Sequence, residues 1–247
     1  MSHGTVFLYT DFGLEGPYVG QMRAAIAREA PGLAVVDLCH DLPPFRPRGA
    51  AYLLAALAPE LPAGCVCVAV VDPGVGGARD AVVLEADGRR FVGPDNGLLA
   101  VVARRAREAR WWTLAWRPER LSASFHGRDL FAPAAARLAA GLVDVALAPR
   151  DGGAHVGADW PEDLAEVIYV DRFGNAMTGL RAAGLAPDAR IEAGGRVLRR
   201  ARTFCDVPPG EAFWHENANG LVEIAVNQGR ADTVLGLAPG AAVRVLA

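Results

Sequence analysis

The chain has 247 residues, 52% of them hydrophobic and 21% charged, with a formal net charge of -3. That length holds one large domain, or a medium domain with a small one, and the apolar fraction supports a sizeable core. The near-neutral charge and the lack of a basic stripe exclude a nucleic-acid footprint, and no apolar run reaches about 18 residues, so no membrane span is expected.

The first half alternates strand-like and helix-like patterns. TVFLY (5–9) is a short apolar run that stops at Thr10-Asp11. YVGQMRAAIAREA (18–30) has helical spacing, with Val19, Met22, Ile26 and Ala30 on one face, and Pro31-Gly32 ends it. LAVVDL (33–38) reads as a second strand and RPRGAAYLLAALAPE (46–60) as a second helix. CVCVAVV (65–71) is nearly all apolar, as a central parallel strand should be, and ends at Asp72-Pro73-Gly74. DAVVLEADGRRFVG (80–93) reads as a hairpin turned at Asp87-Gly88, and GLLAVVARRAREA (97–109) and RDLFAPAAARLAA (128–140) as further helices. This alternation predicts a doubly wound, mostly parallel α/β domain over 1–148. PRDGGAHVGADWPED (149–163) is rich in Gly, Pro and Asp without periodicity and reads as a linker. Beyond it AEVIYVD (165–171), ARIEAGG (189–195), VLRRARTFCDV (197–207), GLVEIAVNQ (220–228) and AAVRVLA (241–247) are strand-like runs separated by turn residues. They predict a smaller all-β, barrel-like domain over 164–247.

Two cheap functional readings fail. Thr10-Asp11-Phe12-Gly13 contains the Asp-Phe-Gly of protein kinases, but only ten residues precede Asp11 and no His-Arg-Asp occurs. The four cysteines, Cys39, Cys65, Cys67 and Cys205, form no disulfide framework for a chain this long. Cys65 and Cys67 share one strand face and Cys39-His40 is the other local candidate, too few ligands for a metal site; buried reduced thiols are expected. No early segment has the pattern of a signal peptide, so the cytoplasm is the expected location.

Ligands of an open parallel sheet bind beyond the carboxyl ends of the strands, and Asp11 and Asp72 stand at two such ends. Either alone is as well explained as a helix cap or turn former; two, each followed by Gly-rich backbone, point towards a site. Asp72-Pro73-Gly74-Val75-Gly76-Gly77 lets backbone approach a ligand closely, yet it is neither a P-loop nor a dinucleotide fingerprint. Arg79 follows, and SFHGRD adds His126 before a helix. In GPDNGL (93–98), Asp95 and Asn96 read as structural. In the second half, Asp171, Phe173 and Asn175 share a turn with an oddly large aromatic, and His215, Glu216, Asn217 and Asn219 form a polar cluster that is equally loop or site.

Taken together, TDFG…YVG, HDLPPF, VVDPGVGGAR, GPDNGLL, FHGRDLFAP, VDRFGNAMT and EIAVNQG, in that order, resemble the S-adenosyl-L-methionine (SAM) hydroxide adenosyltransferases. These are adenosine-forming hydrolases related to the bacterial fluorinase and chlorinase, and the resemblance covers nearly the whole chain. It implies hydrolysis of SAM to adenosine and L-methionine, with no metal and no organic cofactor. It also implies a homotrimer whose active sites lie between the N-terminal domain of one subunit and the C-terminal domain of the next. Water handling falls to Asp72, Arg79 and His126. Asp11 resembles the carboxylate that accepts the two ribose hydroxyls, Phe45 the aromatic over the sugar, and Phe125 a pocket wall near C5′. Asp171 resembles the partner of the methionine ammonium, Phe173 and Asn175 the adenine contacts, and Ala218 and Asn219 the place of the methionine carboxylate. An arginine beside a carboxylate fixes it but also makes it a weaker base, so whether Asp72 or His126 takes the proton stays open.

The family often has Ser at Ala218 and Asp at Gly16, so a hydroxyl contact is lost and the entry to the first helix differs. The halogenases have Tyr at the place of Asp72 and Ser at that of Gly127. Asp72 and Gly127 therefore point to the hydrolase branch over a halogenase, since a carboxylate repels halide. Intact Asp72, Arg79 and His126 argue against a non-catalytic SAM- or adenosine-binding sensor.

Overall fold

Short, apolar runs rich in β-branched residues pair into a seven-stranded sheet in the order β2-β1-β3-β5-β4-β6-β7. Its strands are β1 (Val6–Thr10), β2 (Val35–Cys39), β3 (Val66–Val70), β4 (Ala81–Ala86), β5 (Arg89–Pro94), β6 (Ala109–Leu114) and β7 (Leu147–Arg150). The computed structural model describes residues 4–142, 144–153 and 155–246. Ala154, inside the expected linker, and Ala247, at the end of the expected last strand, lie outside the described residues. The chain falls into two compact units, Met1–Trp160 and Pro161–Ala247.

In the first unit β2, β1, β3 and β5 run parallel, and β4, β6 and β7 extend the sheet through antiparallel pairings. All of β3 is buried, as its unbroken apolar run requires. Helices cover both faces. α1 (Tyr18–Glu29) packs on α4 (Ala132–Ala139) and α2 (Pro47–Leu57) on α3 (Ala100–Arg105). Val19, Met22, Ala25 and Ile26 of α1 meet Val6 and Leu8 of β1 and Val66, Val68 and Val70 of β3 in one core. On the other face Tyr9 reaches α2, where its hydroxyl donates to the Ala50 carbonyl at 2.8 Å. This is the expected doubly wound arrangement.

The helix expected over 97–109 is shorter, because the Asp87 carboxylate accepts the backbone N–H groups of Arg107 and Glu108, each at 3.1 Å. A continued helix would need those donors, so the chain turns there and Ala109–Leu114, with Trp111 and Trp112, joins the sheet as β6. The expected linker, 149–163, begins inside β7, and through Trp160 it belongs to the first unit. Asp95, read as structural, accepts Arg150 at 2.5 Å and the Val156 amide at 3.0 Å. Asn96 donates to the Val71 carbonyl at 2.8 Å.

The second unit holds β8 (Leu164–Val170), β9 (Ala176–Arg181), β10 (Arg190–Ala193), β11 (Arg196–Leu198), β12 (Ala212–Glu216), β13 (Leu221–Val226), the short helix α5 (Ala231–Leu235) and β14 (Arg244–Leu246). They form two antiparallel sheets, β11-β10-β14 and β12-β13-β9-β8. Single bridges, Glu166 to Ala242 and Arg200 to Trp214, link β8 towards β14 and β12 towards β11, which closes the two sheets into a barrel-like ring. Two of these strands are not in the sequence reading. β9 carries Gly179, a residue that weakens the strand pattern, and β12 (Phe213, Trp214, His215) sits inside what reads as a polar cluster. The run 197–207 is not one strand: β11 stops at Leu198, and a capping box between Thr203 and Asp206 winds Phe204–Asp206 into a 3-10 turn. Trp214 is fully buried at the centre, its Nε1–H donating to the Ala189 carbonyl at 3.1 Å.

Among the described residues no helix is long and apolar enough to cross a membrane, and no group of three His, Cys, Asp or Glu side chains is placed to hold a metal. Cys65 and Cys67 are buried free thiols as expected, whereas Cys39 is half-buried and Cys205 exposed. Burial, with Asp41 beside it, pushes the Cys39 thiol up to about 12, so it is unreactive near neutrality. Trp214→Phe should cost roughly 2 kcal/mol, since it leaves a cavity and strands a buried carbonyl. A urea midpoint equal to the parent's would contradict this account of the barrel core.

Candidate active site

The chain leaves β1 for β2 on one side and returns to β3 on the other, so strand order reverses between β1 and β3. A crevice opens beyond the carboxyl ends of strands at such a point. Thr10 pairs with Val70 across it, which sets Asp11 and Asp72, both just past their strand ends, side by side. A cavity of about 560 Å³ lies there, lined by Asp11, Phe45, Asp72, Phe125 and His126 among others. Five residues singled out from distant parts of the sequence thus share one wall, and Arg79 stands directly behind Asp72.

Arg79 organises this wall. Its Nε lies 3.1 Å and 3.0 Å from the two Asp72 oxygens, and its Nη2 is 2.5 Å from Oδ2. The same Nη2 is 2.8 Å from His126 Nδ1. A guanidinium only donates, so Nδ1 must accept, and the imidazole carries its proton on Nε2. Both partners are largely buried, with side-chain exposures of 12% for Arg79 and 5% for Asp72. Burial, and then the Arg79 charge, hold His126 below the ordinary histidine value. Gly76, at φ +78°, permits this assembly: a Cβ there would fall 2.3 Å from the Ala123 carbonyl, so only glycine lets the loop after Asp72 lie against the segment that carries His126.

Asp11 Oδ2 accepts the backbone N–H of Phe45 at 3.2 Å. Phe45 achieves this at φ +63°, a left-handed conformation that a bulky residue adopts only when its surroundings impose it. Its ring is 75% exposed. Burial raises the Asp11 carboxyl above its ordinary value, the Phe45 N–H opposes this, and the neighbouring Asp72 charge adds to it. Phe12, Tyr18 and Phe125 form an edge-to-face trio with centroids 5.4 to 6.0 Å apart. A Cβ on Gly127 would sit 3.2 Å from the Phe12 ring, so even a serine there would press on this trio.

In the second unit Asp171, Phe173 and Asn175 do share one turn, between β8 and β9. Asp171 Oδ1 accepts the amides of Phe173 at 2.8 Å and Asn175 at 2.9 Å, and its Oδ2 accepts the Asn175 side-chain N–H at 2.9 Å. The carboxylate therefore shapes its own turn, which holds the Phe173 ring out at 73% exposure. Ala218 and Asn219 lie in the turn between β12 and β13, at the opposite end of the β9–β13 pair. That turn is held by Asn217, whose Oδ1 accepts the amides of Asn219 and Leu221 at 3.0 Å each. Asn217 Nδ2 reaches Glu223 Oε2 at 3.0 Å, and Glu223 Oε1 lies 3.1 Å from His215 Nε2. The undecided polar cluster is thus largely an internal brace.

The SAM hydroxide adenosyltransferase N-terminal domain matches residues 6–146 and the C-terminal domain of the same family matches residues 165–244. The chain belongs to the SAM hydroxide adenosyltransferase family. A family member from Thermus thermophilus named (R)-S-adenosyl-L-methionine hydrolase is 44% identical, over 98% of this chain and 99% of its own length. One of the same name from Salinispora arenicola is 43% identical over 96% of each. The crystal structure of an uncharacterized conserved protein from Thermotoga maritima superposes with a TM-score of 0.87 at 32% identity, covering 98% of this chain and all of that one.

For this family member, sequence reasoning missed several cavity-lining residues: Tyr18, Gln21, Ser122, Ser124 and Arg128. An aromatic at the first position of α1, shortly after the TDFG turn, was the available signal for Tyr18; the serines carry none. One consequence is testable by NMR. His126 should titrate below 6.5, and in acid its contact to Arg79 must break, because a protonated Nδ1 would face a donor. The unfolded chain takes up that proton first, so stability falls as pH drops below 6.5 towards the folded midpoint. A His126 midpoint at or above the free-histidine value contradicts the arrangement.

Proposed function

We propose that this chain hydrolyses SAM to adenosine and L-methionine by in-line attack of water at the ribose C5′. The observation that carries the reading is the Asp72–Arg79–His126 cluster at the switch-point cavity, where Asp11 follows the end of the neighbouring strand. The names of the relatives support the same substrate and reaction.

In this reading Asp11 accepts both ribose hydroxyls, for which a carboxylate with two oxygens is suited. Phe45 covers the sugar and Phe125 lines the path to C5′. Methionine departs as a neutral thioether, so no general acid is needed, and the site must orient water and exclude its competitors. His126 Nδ1 is occupied by Arg79 and Nε2 already bears a proton, so His126 is a donor to the attacking oxygen and Asp72 is the acceptor of the proton that oxygen sheds. The C5′–O bond forms as the C5′–S bond breaks; the electron pair stays on sulfur and the proton passes from Asp72 to solvent. No metal or organic cofactor takes part. The Asp72 charge disfavours halide at the attack position, which sets this reading apart from a halogenase.

Phe173 and Asn175 would contact adenine, and the backbone of Ala218 and Asn219 the methionine carboxylate. Asp171 as partner of the ammonium rests on resemblance, since three N–H groups of its own turn already use it. These residues act in a homotrimer, each cavity completed by the second unit of a neighbouring copy. The two exposed aromatics, Phe45 and Phe173, support that arrangement, because each needs a partner surface to act on a base or sugar.

Purified protein incubated with SAM, with and without chloride, should release adenosine and methionine. A 5′-chlorinated nucleoside would overturn the reading in favour of halogenation, and unchanged but bound SAM in favour of a sensor. Asp72→Ala should lower kcat by about a hundredfold or more while shifting KM far less; an unchanged kcat removes Asp72 from the mechanism. Shared sites predict complementation. Mixing Asp72→Ala subunits with Phe173→Ala subunits should restore part of the lost activity, and no recovery on mixing contradicts a site shared between copies.

A further inference from the structure

Beneath Asp11 lies a buried polar chain that the reaction above does not use. Thr10 and His40 stand at the carboxyl ends of β1 and β2 and are both buried. Thr10 Oγ1 is 2.7 Å from His40 Nδ1, and His40 Nε2 is 3.1 Å from Asp37 Oδ1. Arg23 of α1 donates to the same Asp37 oxygen through Nε at 3.1 Å. The His40–Asp37 approach lacks hydrogen-bond geometry, so Nε2 is a buried atom with no hydrogen-bond partner and the Thr10–His40 contact is the one that holds the ring. In either tautomer of His40 the Thr10 Oγ1 keeps a lone pair to accept the Phe12 amide at 3.3 Å. The next amide, of Gly13, donates to the His40 carbonyl at 2.7 Å. Carboxylate, imidazole and hydroxyl in line resemble a nucleophile with its base, but Thr10 is fully buried and no substrate can reach it.

We propose that Thr10 and His40 are positioning residues for the ribose contact. They clamp the two amides that follow Asp11 and so fix the turn on which its carboxylate stands. Gripping both hydroxyls of a ribose needs that carboxylate held within about half an ångström, and a bend between a strand and a helix does not supply this alone. The inference rests on the reading of Asp11 as the ribose acceptor, and the test separates the two.

The test compares binding of adenosine and 2′,3′-dideoxyadenosine to the full-length protein by calorimetry. Thr10→Val keeps the shape and removes the hydroxyl; it should cut the preference for adenosine about tenfold while leaving dideoxyadenosine affinity within about twofold. Thr10→Ser should restore the preference. A merely structural role would weaken both ligands alike, and that outcome, or an undiminished preference in Thr10→Val, overturns the inference. A parent protein that binds both ligands equally overturns the ribose role of Asp11 instead. If Thr10→Val does not fold, amide exchange in the parent decides: Phe12 and Gly13 should gain protection with adenosine but not with dideoxyadenosine, and equal protection overturns the proposal.

Discussion

A carboxylate taken out of water must be paired, and the way Arg79 pairs Asp72 determines the rest of the cavity wall. Two nitrogens of the guanidinium engage both carboxylate oxygens, and the second of them also meets His126 Nδ1. One arginine thereby fixes a rotamer, a tautomer and the spacing of two loops. It also decides roles. With Nδ1 occupied, His126 offers the cavity a donor, while Asp72 retains the unused acceptor capacity of a carboxylate. Removing one partner of such a buried set leaves the others uncompensated, so the cluster behaves as one unit.

Strand topology supplies the second constraint. Asp11 and Asp72 are far apart in sequence, yet β1 and β3 are neighbours, so the two carboxylates arrive on one rim, one as the proposed sugar grip and the other as the proposed water-handling group. Two acids close together are costly: burial above all raises the Asp11 carboxyl, and the Asp72 charge adds to it. Under the proposed function the cost is offset by the substrate, because SAM brings a sulfonium cation beside the same carbon that water attacks. The Phe45 amide, presented by a strained left-handed residue, then steadies the Asp11 oxygen that is not free to swing.

Much of this was legible in the sequence for physical reasons. The β1–α1–β2–α2–β3 alternation is local, and a run such as CVCVAVV has few other homes than a central strand. Asp11 and Asp72 stood out because strand ends are where open sheets bind ligands. What escaped depends on distant partners. The helix after Leu99 ends early because Asp87 captures two amides some twenty residues on in the chain. β9 and β12 hide because a glycine weakens the pattern of one and polar residues surround the other. His40 looked like half of a weak metal motif with Cys39, and only pairing of β1 with β2 shows it bonded to Thr10. Asp171 matched a family position, but its engagement with its own turn appears only in three dimensions.

Under the proposed function, water itself, aligned by Asp72 and His126, displaces methionine at C5′ in one in-line step. The direct measurement is turnover of SAM carrying a single, stereodefined deuterium at C5′ in water enriched in heavy oxygen. The account predicts one heavy oxygen in the 5′-hydroxyl of the adenosine product and inverted configuration at C5′. Retention of configuration, or adenosine free of the label, would contradict it.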